Sequence, residues 1–533
     1  MALAVLTILG TILVFLIWKS YRGLKYFEEN DVPCHRPMPL FGSMFPMVMK
    51  KLSFAEFMRN LYEEFPDAKY SGAFEFTNPV YVLRDPELIK SITVKNFDHF
   101  PDHKAFVDES IDPLFGGNLF SIKGERWKEM RSIVSPVFTS SKMRAMFELM
   151  SKCAKDFADY LEKQPLPLTI EMKDIFTRYT NDVIATSAFG ISVNSLVDRE
   201  NEFYIMGKDA TNFGGLRALK MFLFSWSPMV MKLLKQKFLS KRVSTFFCSL
   251  VKDTISTRER DGITRPDLIH QLMQARHKEK DEKLTINEIT SQAFIFFFAG
   301  FDTSSTLMCF ACHQLAVDPE IQDKLVAEID AAFQEEDNLS YEKVNHLQYL
   351  EMFLNETLRF YPPAVFTDRV NTQKFELPPA NGKGNPVLVK PGTRLWIPIY
   401  ALHHDPEYFP NPEKFDPERF SPENKSSINN FAFLPFGAGP RNCPGNRFAL
   451  METKLVICSL LRKFRIQISA KTHVPLVLNK SSLILLHNFK PYFCNQKNYY
   501  AKLIFLNIHL PPNKVNFDNE CLSDNSRMFN IIE

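Results

Sequence analysis

A cysteine lies in a glycine-rich segment that suits a thiolate ligand. Residues 436–445 read FGAGPRNCPG, so glycines at 437, 439 and 445 surround Cys443. Glycines permit a tight loop whose backbone approaches a flat cofactor closely, and its N–H groups can hydrogen-bond a sulfur anion. The residues from Asn446 onward look helical, so Cys443 lies just before a helix N-terminus, where the helix dipole stabilises a thiolate. Arg441 adds a positive charge that can bind a carboxylate. An incidental cysteine in a glycine loop would explain each feature separately but not all of them together.

A second set of residues suits proton transfer beside a bound small molecule. Ala299 and Thr303 are four residues apart and therefore lie on one face of a helix. The small Ala299 leaves space there, the Thr303 hydroxyl can hold a water molecule, and Asp302 can pass protons inward. Gly300 costs about 1 kcal/mol relative to alanine in a helix interior, which fits a local distortion. The alternative for Thr303 is a hydrogen bond back to the preceding turn of its own helix.

Two predicted helices would position residues of this kind. The first begins with a capping box, Thr285 to Glu288, and runs without proline to Val317, before Asp318-Pro319. Its stretch 293–299 is apolar on all sides, which predicts a helix buried in the centre of the protein. The second helix is predicted over 340–360 and stops at a Tyr-Pro-Pro sequence.

The periodicity of the whole chain predicts a mainly α-helical protein with a minor β-sheet region. Strand-like runs appear near 80–83 and 387–398, and most of the remainder has helical periodicity. The sequence divides into an N-terminal membrane anchor at 1–20, a basic and proline-rich linker at 21–45, a catalytic domain at 46–481, and a divergent tail at 482–533. The tail is asparagine-rich and irregular, and we expect it to be poorly ordered and dispensable.

The N-terminal segment predicts membrane attachment. Residues 2–18 carry no charge, and Lys19, Arg22 and Lys25 follow at once. This length is at the short end for a spanning helix. A secretory signal peptide is the alternative, but no basic segment precedes the apolar stretch and no A-x-A-like cleavage site follows it. The basic residues would keep the rest of the chain on the cytoplasmic side.

The composition is that of a globular protein with a large apolar core. The chain is 45% hydrophobic with fifty phenylalanines, and its net charge of +3 comes from interleaved acids and bases, which gives no indication of a nucleic-acid partner. Nine scattered cysteines favour free thiols in a reducing compartment over disulfides. Cys309 and Cys312 form a C-x-x-C, but no second pair at ligand spacing accompanies them, so packing is favoured over a redox or zinc site.

The motifs together resemble those of a known family. The segment 436–445 is similar, at every specified position, to the F-x-x-G-x-R-x-C-x-G haem-binding loop of the cytochrome P-450 family. The sequence AGFDTS at 299–304 resembles the family's oxygen-activating A-G-x-[DE]-T-[TS] segment. Its W-x-x-x-R, E-x-x-R and P-E-R-F motifs match 127–131, 356–359 and 417–420. The resemblance covers roughly 30–480, and segments 97–103 and 139–144 resemble insect microsomal members that clear xenobiotics.

The resemblance implies a cytochrome P-450 fold and a role for each matched residue. Cys443 would be the axial ligand of the iron of haem b, and Asp302 and Thr303 would help to deliver protons to dioxygen. Glu356, Arg359 and Arg419 would form a buried ion-pair cluster that supports the cysteine loop. The further expected haem contacts are Arg441, Phe436, Gly437, Gly445, Trp127, Arg131, Arg369 and Ala299. Taken alone, Arg131 and Arg369 could each be an ordinary surface arginine.

The implied activity is that of a haem-thiolate monooxygenase at the endoplasmic reticulum membrane, with the catalytic domain facing the cytoplasm. It would insert one oxygen atom from dioxygen into small apolar substrates, xenobiotics among them. NADPH electrons would come through a separate flavoprotein reductase, since the sequence contains no glycine-rich dinucleotide fingerprint. Cytochrome b5 is a further candidate electron donor. Basic residues Lys123, Arg126 and Lys128 could meet an acidic donor or form a solvated face.

Two other functions stay open. A haem-thiolate isomerase or dehydratase would need no reductase, but such relatives commonly lack the Asp302-Thr303 pair. An inactive or haem-sensing membrane protein would explain the divergent tail, which could leave the pocket edge incomplete. The sequence does not identify the substrate. By the resemblance to the family, the residues expected to line the pocket are Phe106, Phe115, Phe213, Ala364, Val365 and Phe366.

Overall fold

The computed structural model describes residues 25–480, except 106, 166–167, 213, 215, 279–283, 334–338 and 470–471, together with 492–495 and a few positions before 19. Most of the predicted membrane anchor and most of the predicted tail therefore lie outside the described residues. Of the described helices, only the one at Ile286–Val317 is long and apolar enough to cross a membrane. Its most apolar window is 61% buried within the protein, as expected of a core helix.

Helices make up most of the described chain. In chain order they are α1 (Phe45–Val48), α2 (Phe54–Glu63), α3 (Pro86–Lys90), α4 (Pro113–Gly116), α5 (Gly124–Val134), α6 (Ser140–Glu162), α7 (Met172–Ile184), α8 (Glu202–Ala210), α9 (Leu216–Trp226), α10 (Pro228–Leu233), α11 (Lys241–Asp261), α12 (Leu268–Lys278), α13 (Ile286–Val317), α14 (Pro319–Phe333), α15 (Tyr341–His346), α16 (Gln348–Phe360), α17 (Ile399–His403), α18 (Pro422–Lys425) and α19 (Asn446–Leu461). Short 3-10 or π turns lie at Ser91–Lys95, Phe97–His99, Ser135–Phe138, Ala185–Phe189 and Pro417–Phe420.

The strands form a minor part of the fold, as predicted. They are β1 (Tyr70–Glu75), β2 (Asn78–Leu83), β3 (Leu168–Thr169), β4 (Thr367–Val370), β5 (Phe375–Leu377), β6 (Val387–Val389), β7 (Arg394–Ile397), β8 (Phe464–Gln467) and β9 (Tyr492–Asn495). The largest sheet has the order β1-β2-β7-β4, in which only the β2–β7 pairing is parallel. Strands β5 and β6 pair with each other, and β9 lies between β3 and β8. The strand-like run at 387–398 is two strands, because the chain turns at Gly392 with φ of 88°.

Helix α13 runs through the centre of the protein, as predicted. The Thr285 hydroxyl accepts the Glu288 N–H, and the Glu288 carboxylate accepts the Thr285 N–H, so both halves of the capping box are formed. Helices α4, α7 and α11 pack against α13. The rings of Phe294 and Phe297 each contact Phe247 of α11, with centroids 5.2 and 5.0 Å apart. Helix α13 is therefore fixed by aromatic packing.

The helix predicted over 340–360 is two helices, which corrects that prediction. Leu347 has an extended backbone, with ψ of 95°, between α15 and α16. The first N–H groups of α16, at Tyr349 and Leu350, donate to the Glu328 carboxylate at 2.7 and 2.9 Å. Because Glu328 belongs to α14, the break is stabilised by a cap from another helix.

The segment predicted as a linker, 21–45, packs against the largest sheet over its described part. Phe27 is fully buried and its ring contacts Phe74 and Tyr81, with centroids 5.3 Å away in each case. Gly72 in β1 allows this packing, since a side chain there would collide with the Phe27 ring. At the other end of the chain, strand β9 falls within the predicted tail, so 492–495 belongs to a sheet.

Candidate active site

A largely apolar cavity of about 380 Å³ lies between α13 and the loop that precedes α19. Its aromatic walls come from several elements, and its polar groups gather on one side. The residues that line it include His103, Phe120, Trp127, Arg131, Phe296, Ala299, Thr303, Ser304, Ala364, Phe366, Phe436, Gly437, Arg441, Cys443, Gly445, Phe448 and Ala449. The structure thus brings Cys443 and the Ala299–Thr303 pair, which are distant in sequence, to the same cavity.

Cys443 lines this cavity, and its side chain is exposed there. Its own N–H donates to the Phe436 carbonyl at 2.8 Å, which closes the glycine loop. Burial raises the pKa of the Cys443 thiol, against the opposing effects of the Gly445 N–H and the nearby Arg131 charge. The position before α19 therefore does not by itself keep the sulfur anionic. A coordinated metal ion would do so, since it displaces the thiol proton outright.

Two of the three glycines in the loop are required by its backbone. Gly437 and Gly439 have φ of 73° and 70°, in the left-handed region that favours glycine. At Gly439 a side chain would also collide with the Thr93 carbonyl. Gly445 has φ of −90° and caps α19, so its role is to leave open space beside the cavity.

Ala299 and Thr303 line the cavity from α13, as predicted from their spacing. The Thr303 hydroxyl donates to the Ala299 carbonyl at 2.7 Å, so the hydrogen bond to the preceding turn is formed. The hydroxyl oxygen keeps its ability to accept a hydrogen bond from the cavity side.

The Asp302 carboxylate does not line the cavity. Its Oδ1 lies 2.6 Å from the Nζ of Lys173 on α7. The same ammonium donates to the Asp302 carbonyl, the Ser305 hydroxyl and the Thr306 hydroxyl at 2.8–2.9 Å. Lys173, which no motif indicated, therefore holds the carboxylate against α7.

The Arg441 guanidinium makes several hydrogen bonds and a cation–π contact within the protein. It donates to the carbonyls of Pro101, Leu119 and Ile122 at 2.7, 3.2 and 3.0 Å, and to Asp102 at 3.3 Å. Its guanidinium lies 4.0 Å from the centre of the Trp127 ring. Burial lowers the pKa of Arg441 to about 9. Arg441 thus fixes the cavity wall and also places a cation on it.

Arg131 is partly buried at the cavity and Arg369 is fully buried, so neither is an ordinary surface arginine. Arg131 lines the cavity and donates to the Asn442 side chain at 2.7 Å. Arg369 is fully buried and donates to the carbonyls of Asp368 and Ala438, but its Nε has no hydrogen-bond partner among the described residues. An orphaned buried N–H beside the cysteine loop fits an anionic group placed there.

His103 is a cavity residue that the sequence analysis missed. Its Nδ1 lies 2.9 Å from Asp368, and its ring stacks on Phe120 with centroids 4.7 Å apart. Burial lowers the pKa of His103. Asp368 also binds Arg394 at 2.8 Å, so the imidazole is held by a buried charge network. No motif of the sequence includes His103, so no local signal could have indicated that it lines the cavity.

The predicted cluster of Glu356, Arg359 and Arg419 is confirmed. Arg359 makes two hydrogen bonds of 2.8 Å to Glu356, and Arg419 lies 3.5 Å from the same carboxylate. Arg359 also donates to the His403 carbonyl at 2.9 Å. The Nε2 of His403 accepts the Leu434 N–H at 2.8 Å, so its Nδ1 carries the proton and faces the Arg359 carbonyl. The cluster is thereby joined to the chain entering the cysteine loop.

The other candidate residues divide between the cavity and the core. Ala364 and Phe366 line the cavity, whereas Phe115 and Val365 pack in the core. Phe106 and Phe213 lie outside the described residues. Cys309 and Cys312 are free and buried in α13, and no metal-binding group of His, Cys, Asp and Glu side chains occurs in the described ranges. The burial of both thiols agrees with the packing role.

The cavity fits a haem held by Cys443. The Cys443 thiol lines an apolar space that the small Ala299 also lines, and Phe436 and Phe448 offer flat apolar contacts. Arg131, Arg441 and His103 form a polar side suited to two propionates, with the orphaned Arg369 N–H close behind. Apolar faces and a cationic edge are what an amphipathic macrocycle needs.

Comparison with known proteins agrees with this site. The cytochrome P450 family model matches residues 32–495. The chain is 49% identical to cytochrome P450 9e2 of Blattella germanica over 486 residues, covering 85% of this chain and 90% of that protein. It is 41% identical to probable cytochrome P450 9f2 of Drosophila melanogaster, covering 89% and 95%. It is 35% identical to cytochrome P450 6k1 of Blattella germanica, covering 90% and 94%. With the cysteine loop and its cavity in place, these matches show that the chain belongs to the cytochrome P450 family and is a haem-thiolate monooxygenase.

Proposed function

We propose that this monooxygenase oxidises small apolar molecules, xenobiotics among them, with NADPH electrons supplied by a separate flavoprotein reductase. The observation that carries the proposal is the apolar cavity that Cys443 and the Ala299–Thr303 face both line. Phe120, Phe296 and Phe366 bound the space available to a substrate. These walls favour a ligand with few polar groups, since they offer little to replace the hydrogen bonds of a polar one.

The protein's own residues would divide the work as follows. Haem ligated by thiolate supplies dioxygen activation, and Cys443 is its proposed ligand. Arg131, Arg369, Arg441 and Trp127 hold and orient the cofactor from its charged edge, while Ala299, Phe436, Gly437 and Gly445 leave room for its faces. The Thr303 hydroxyl accepts or relays a proton in the cavity. Asp302 is a proposed proton carrier once its ion pair with Lys173 opens.

An isomerase, a dehydratase or an inactive haem sensor fits this site less well. Thr303 lines the cavity and follows Asp302 in the sequence. An enzyme that does not activate dioxygen has no need of this acid–alcohol pair. The reductase and cytochrome b5 stay proposed partners. Arg126 and Lys128 pair with acids of the same chain, Glu109 and Glu125, at 3.0 and 2.9 Å, so part of the basic face is already neutralised.

The carbon monoxide difference spectrum of the dithionite-reduced protein in membranes tests this function. We expect a strongly red-shifted Soret band, because the axial ligand is a thiolate, and NADPH-dependent oxidation of apolar substrates when reductase is added. A band typical of histidine or thiol ligation would contradict the proposed ligand. A thiolate band without any turnover on apolar substrates would contradict the monooxygenase proposal.

Membrane association is supported by an exposed apolar surface besides the predicted anchor. Met229 and Leu233 on α10 are 82% and 81% exposed, and Leu219, Val230 and Leu234 are also exposed. Lys220 and Lys235 lie among them. An apolar surface with basic residues suits the interface of an anionic membrane. We place the protein at the endoplasmic reticulum with its catalytic domain on the cytoplasmic side.

Fluorescence labelling would test contact of this surface with lipid. An environment-sensitive fluorophore on Leu233→Cys, in a chain that also carries Cys248→Ser, should shift to the blue and be quenched by brominated lipids in vesicles. The same fluorophore on native Cys248, exposed on α11, is the control and should not respond. Equal responses at both positions would contradict docking through α10.

A further inference from the structure

An open surface groove lies between α8 and α11, apart from the cavity that Cys443 lines. Its volume is about 710 Å³, and most of its lining comes from one face of α11. The two helices run antiparallel there. Ser240, just before α11, donates to Asp209 near the end of α8 at 2.9 Å. The ring of Phe203, at the start of α8, contacts that of Phe246 on α11, with centroids 6.2 Å apart.

The groove carries opposite charges at its two ends. Lys241 and Arg242 line it at the start of α11, and Asp253 lines it about three turns further on. Glu202 joins Asp253 at the acidic end, because the antiparallel α8 begins there. All four side chains are exposed, and none makes an ion pair with another side chain in the described part of the chain. Arg242 and Asp253 are eleven residues apart, which places the opposite charges about 17 Å apart along the helix.

Apolar and small side chains lie between the charged ends. Phe246 and Leu250 are half-buried, and Thr245 and Ser249 are exposed beside them. When two copies of one helix pack antiparallel, residues at equal distances from the midpoint of the contact lie opposite each other. About a midpoint between positions 247 and 248, Phe246 corresponds to Ser249 and Leu250 corresponds to Thr245. Each large apolar side chain would therefore face a small one, as packing of side chains into grooves requires.

The charged ends obey the same symmetry, since Arg242 corresponds to Asp253 about that midpoint. We propose that two copies of the protein associate through this groove, with α11 of one copy antiparallel to α11 of the other across a two-fold axis. Arg242 of each copy then lies opposite Asp253 of the other, so every charge pair occurs twice, as in any isologous interface. Burial of Phe246 and Leu250 adds the apolar part of the association.

Other occupants match the groove less well. An anionic membrane surface or an acidic electron carrier would oppose like charges at the end formed by Glu202 and Asp253, and a basic partner would do so at the other end. A second copy in the parallel orientation would place cation against cation and acid against acid. The antiparallel copy is the arrangement that satisfies both ends at once.

Sedimentation equilibrium of the haem-loaded full chain in a density-matched neutral detergent tests the association. We expect a monomer–dimer equilibrium that weakens as salt is raised, because the charge pairs are exposed. Arg242→Glu should raise the dissociation constant at least about tenfold, since it opposes like charges at both ends of the contact. Ser249→Arg should do the same by filling the space that receives Phe246. Lys155→Glu, the same change of charge at an exposed lysine of α6, should have no effect. A monomer at every concentration would overturn the proposal.

Exchange of the two charges separates this interface from association through the exposed surface of α10. Asp253→Arg alone should weaken association as Arg242→Glu does, and a chain that carries both substitutions should recover it. When the two single variants are mixed, with a different fluorophore on a terminal tag of each, energy transfer should show mixed dimers, because one copy then presents two acids and the other two cations. Absence of recovery in the double variant, or of mixed dimers, would overturn the antiparallel pairing. The carbon monoxide difference spectrum controls for folding, since neither residue lines the cavity.

Discussion

Replacement of Cys443 by serine is expected to lower product formation by more than about 100-fold, because loss of even an indirect partner of a metal ligand costs about 10–100-fold. A serine hydroxyl in this buried loop keeps its proton and is not a soft anionic ligand. The Gly445 N–H and the Arg131 charge, which favour the sulfur anion, would face a neutral group. The carbon monoxide difference spectrum should lose its red-shifted Soret band, and product formation should be measured on the same preparation.

Cys248→Ser is the matched control for this variant. Cys248 is a free, exposed thiol on α11, away from the cavity. Its replacement by serine exchanges sulfur for oxygen, as the replacement of Cys443 does. We expect unchanged spectra and turnover. Retention of the thiolate band in Cys443→Ser would mean that another cysteine of the chain ligates the iron.

Replacement of Glu356 by glutamine is expected to cost about 3–5 kcal/mol of folding free energy, as for other buried ion pairs with one partner removed. Arg359 is fully buried and would lose the carboxylate that accepts two of its N–H groups. A guanidinium does not release its proton in a protein, so the unpaired charge stays buried. Such a cost is a large part of the roughly 5–15 kcal/mol that stabilises a typical protein. The fraction of purified protein with the thiolate band, and its loss in urea, measure the effect.

The folding stability of Arg359→Met should depend on pH in a way that the stability of Glu356→Gln does not. Comparison of the two variants therefore separates the effect of the missing cation from that of the missing carboxylate. Burial already raises the pKa of Glu356 in the intact cluster, and loss of Arg359 raises it further. The folded variant would then hold a proton that the unfolded chain releases, so it should regain stability as the pH falls from neutrality towards the ordinary carboxyl range. Glu356→Gln should show no such recovery.

Arg419→Gln serves as the control within the cluster. Its guanidinium lies 3.5 Å from Glu356 and is 14% exposed, so the loss should be smaller, about 1 kcal/mol. Equal losses in the variants at 356, 359 and 419 would contradict the assignment of Arg359 as the buried charge that depends on Glu356.

Local signals in the sequence were sufficient for the central helix and for the cysteine loop. The capping box at Thr285 and the proline after Asp318 define the ends of α13 within the chain itself. The glycines at 437 and 439 are dictated by backbone conformation, which is also local. The spacing of Ala299 and Thr303 placed both on the cavity face for the same reason.

Contacts between distant residues account for what the sequence did not show. The break at Leu347 depends on Glu328 of a different helix, and the position of the Asp302 carboxylate depends on Lys173, 129 residues away. His103 reaches the cavity because Asp368 and Phe120 hold its ring. None of these pairings has a spacing rule, since each is set by how whole helices and sheets pack.

Strand β9 is the middle strand of its sheet, paired with β3 on one side and with β8 on the other. A chain shortened to end at 481 would leave both neighbours with unpaired backbone N–H and C=O groups. Open strand edges of this kind recruit strands from other molecules. Such a shortened protein should therefore self-associate, whereas one that ends beyond Asn495 keeps β9 between β3 and β8. A C-terminal boundary chosen for crystallisation must therefore lie beyond Asn495.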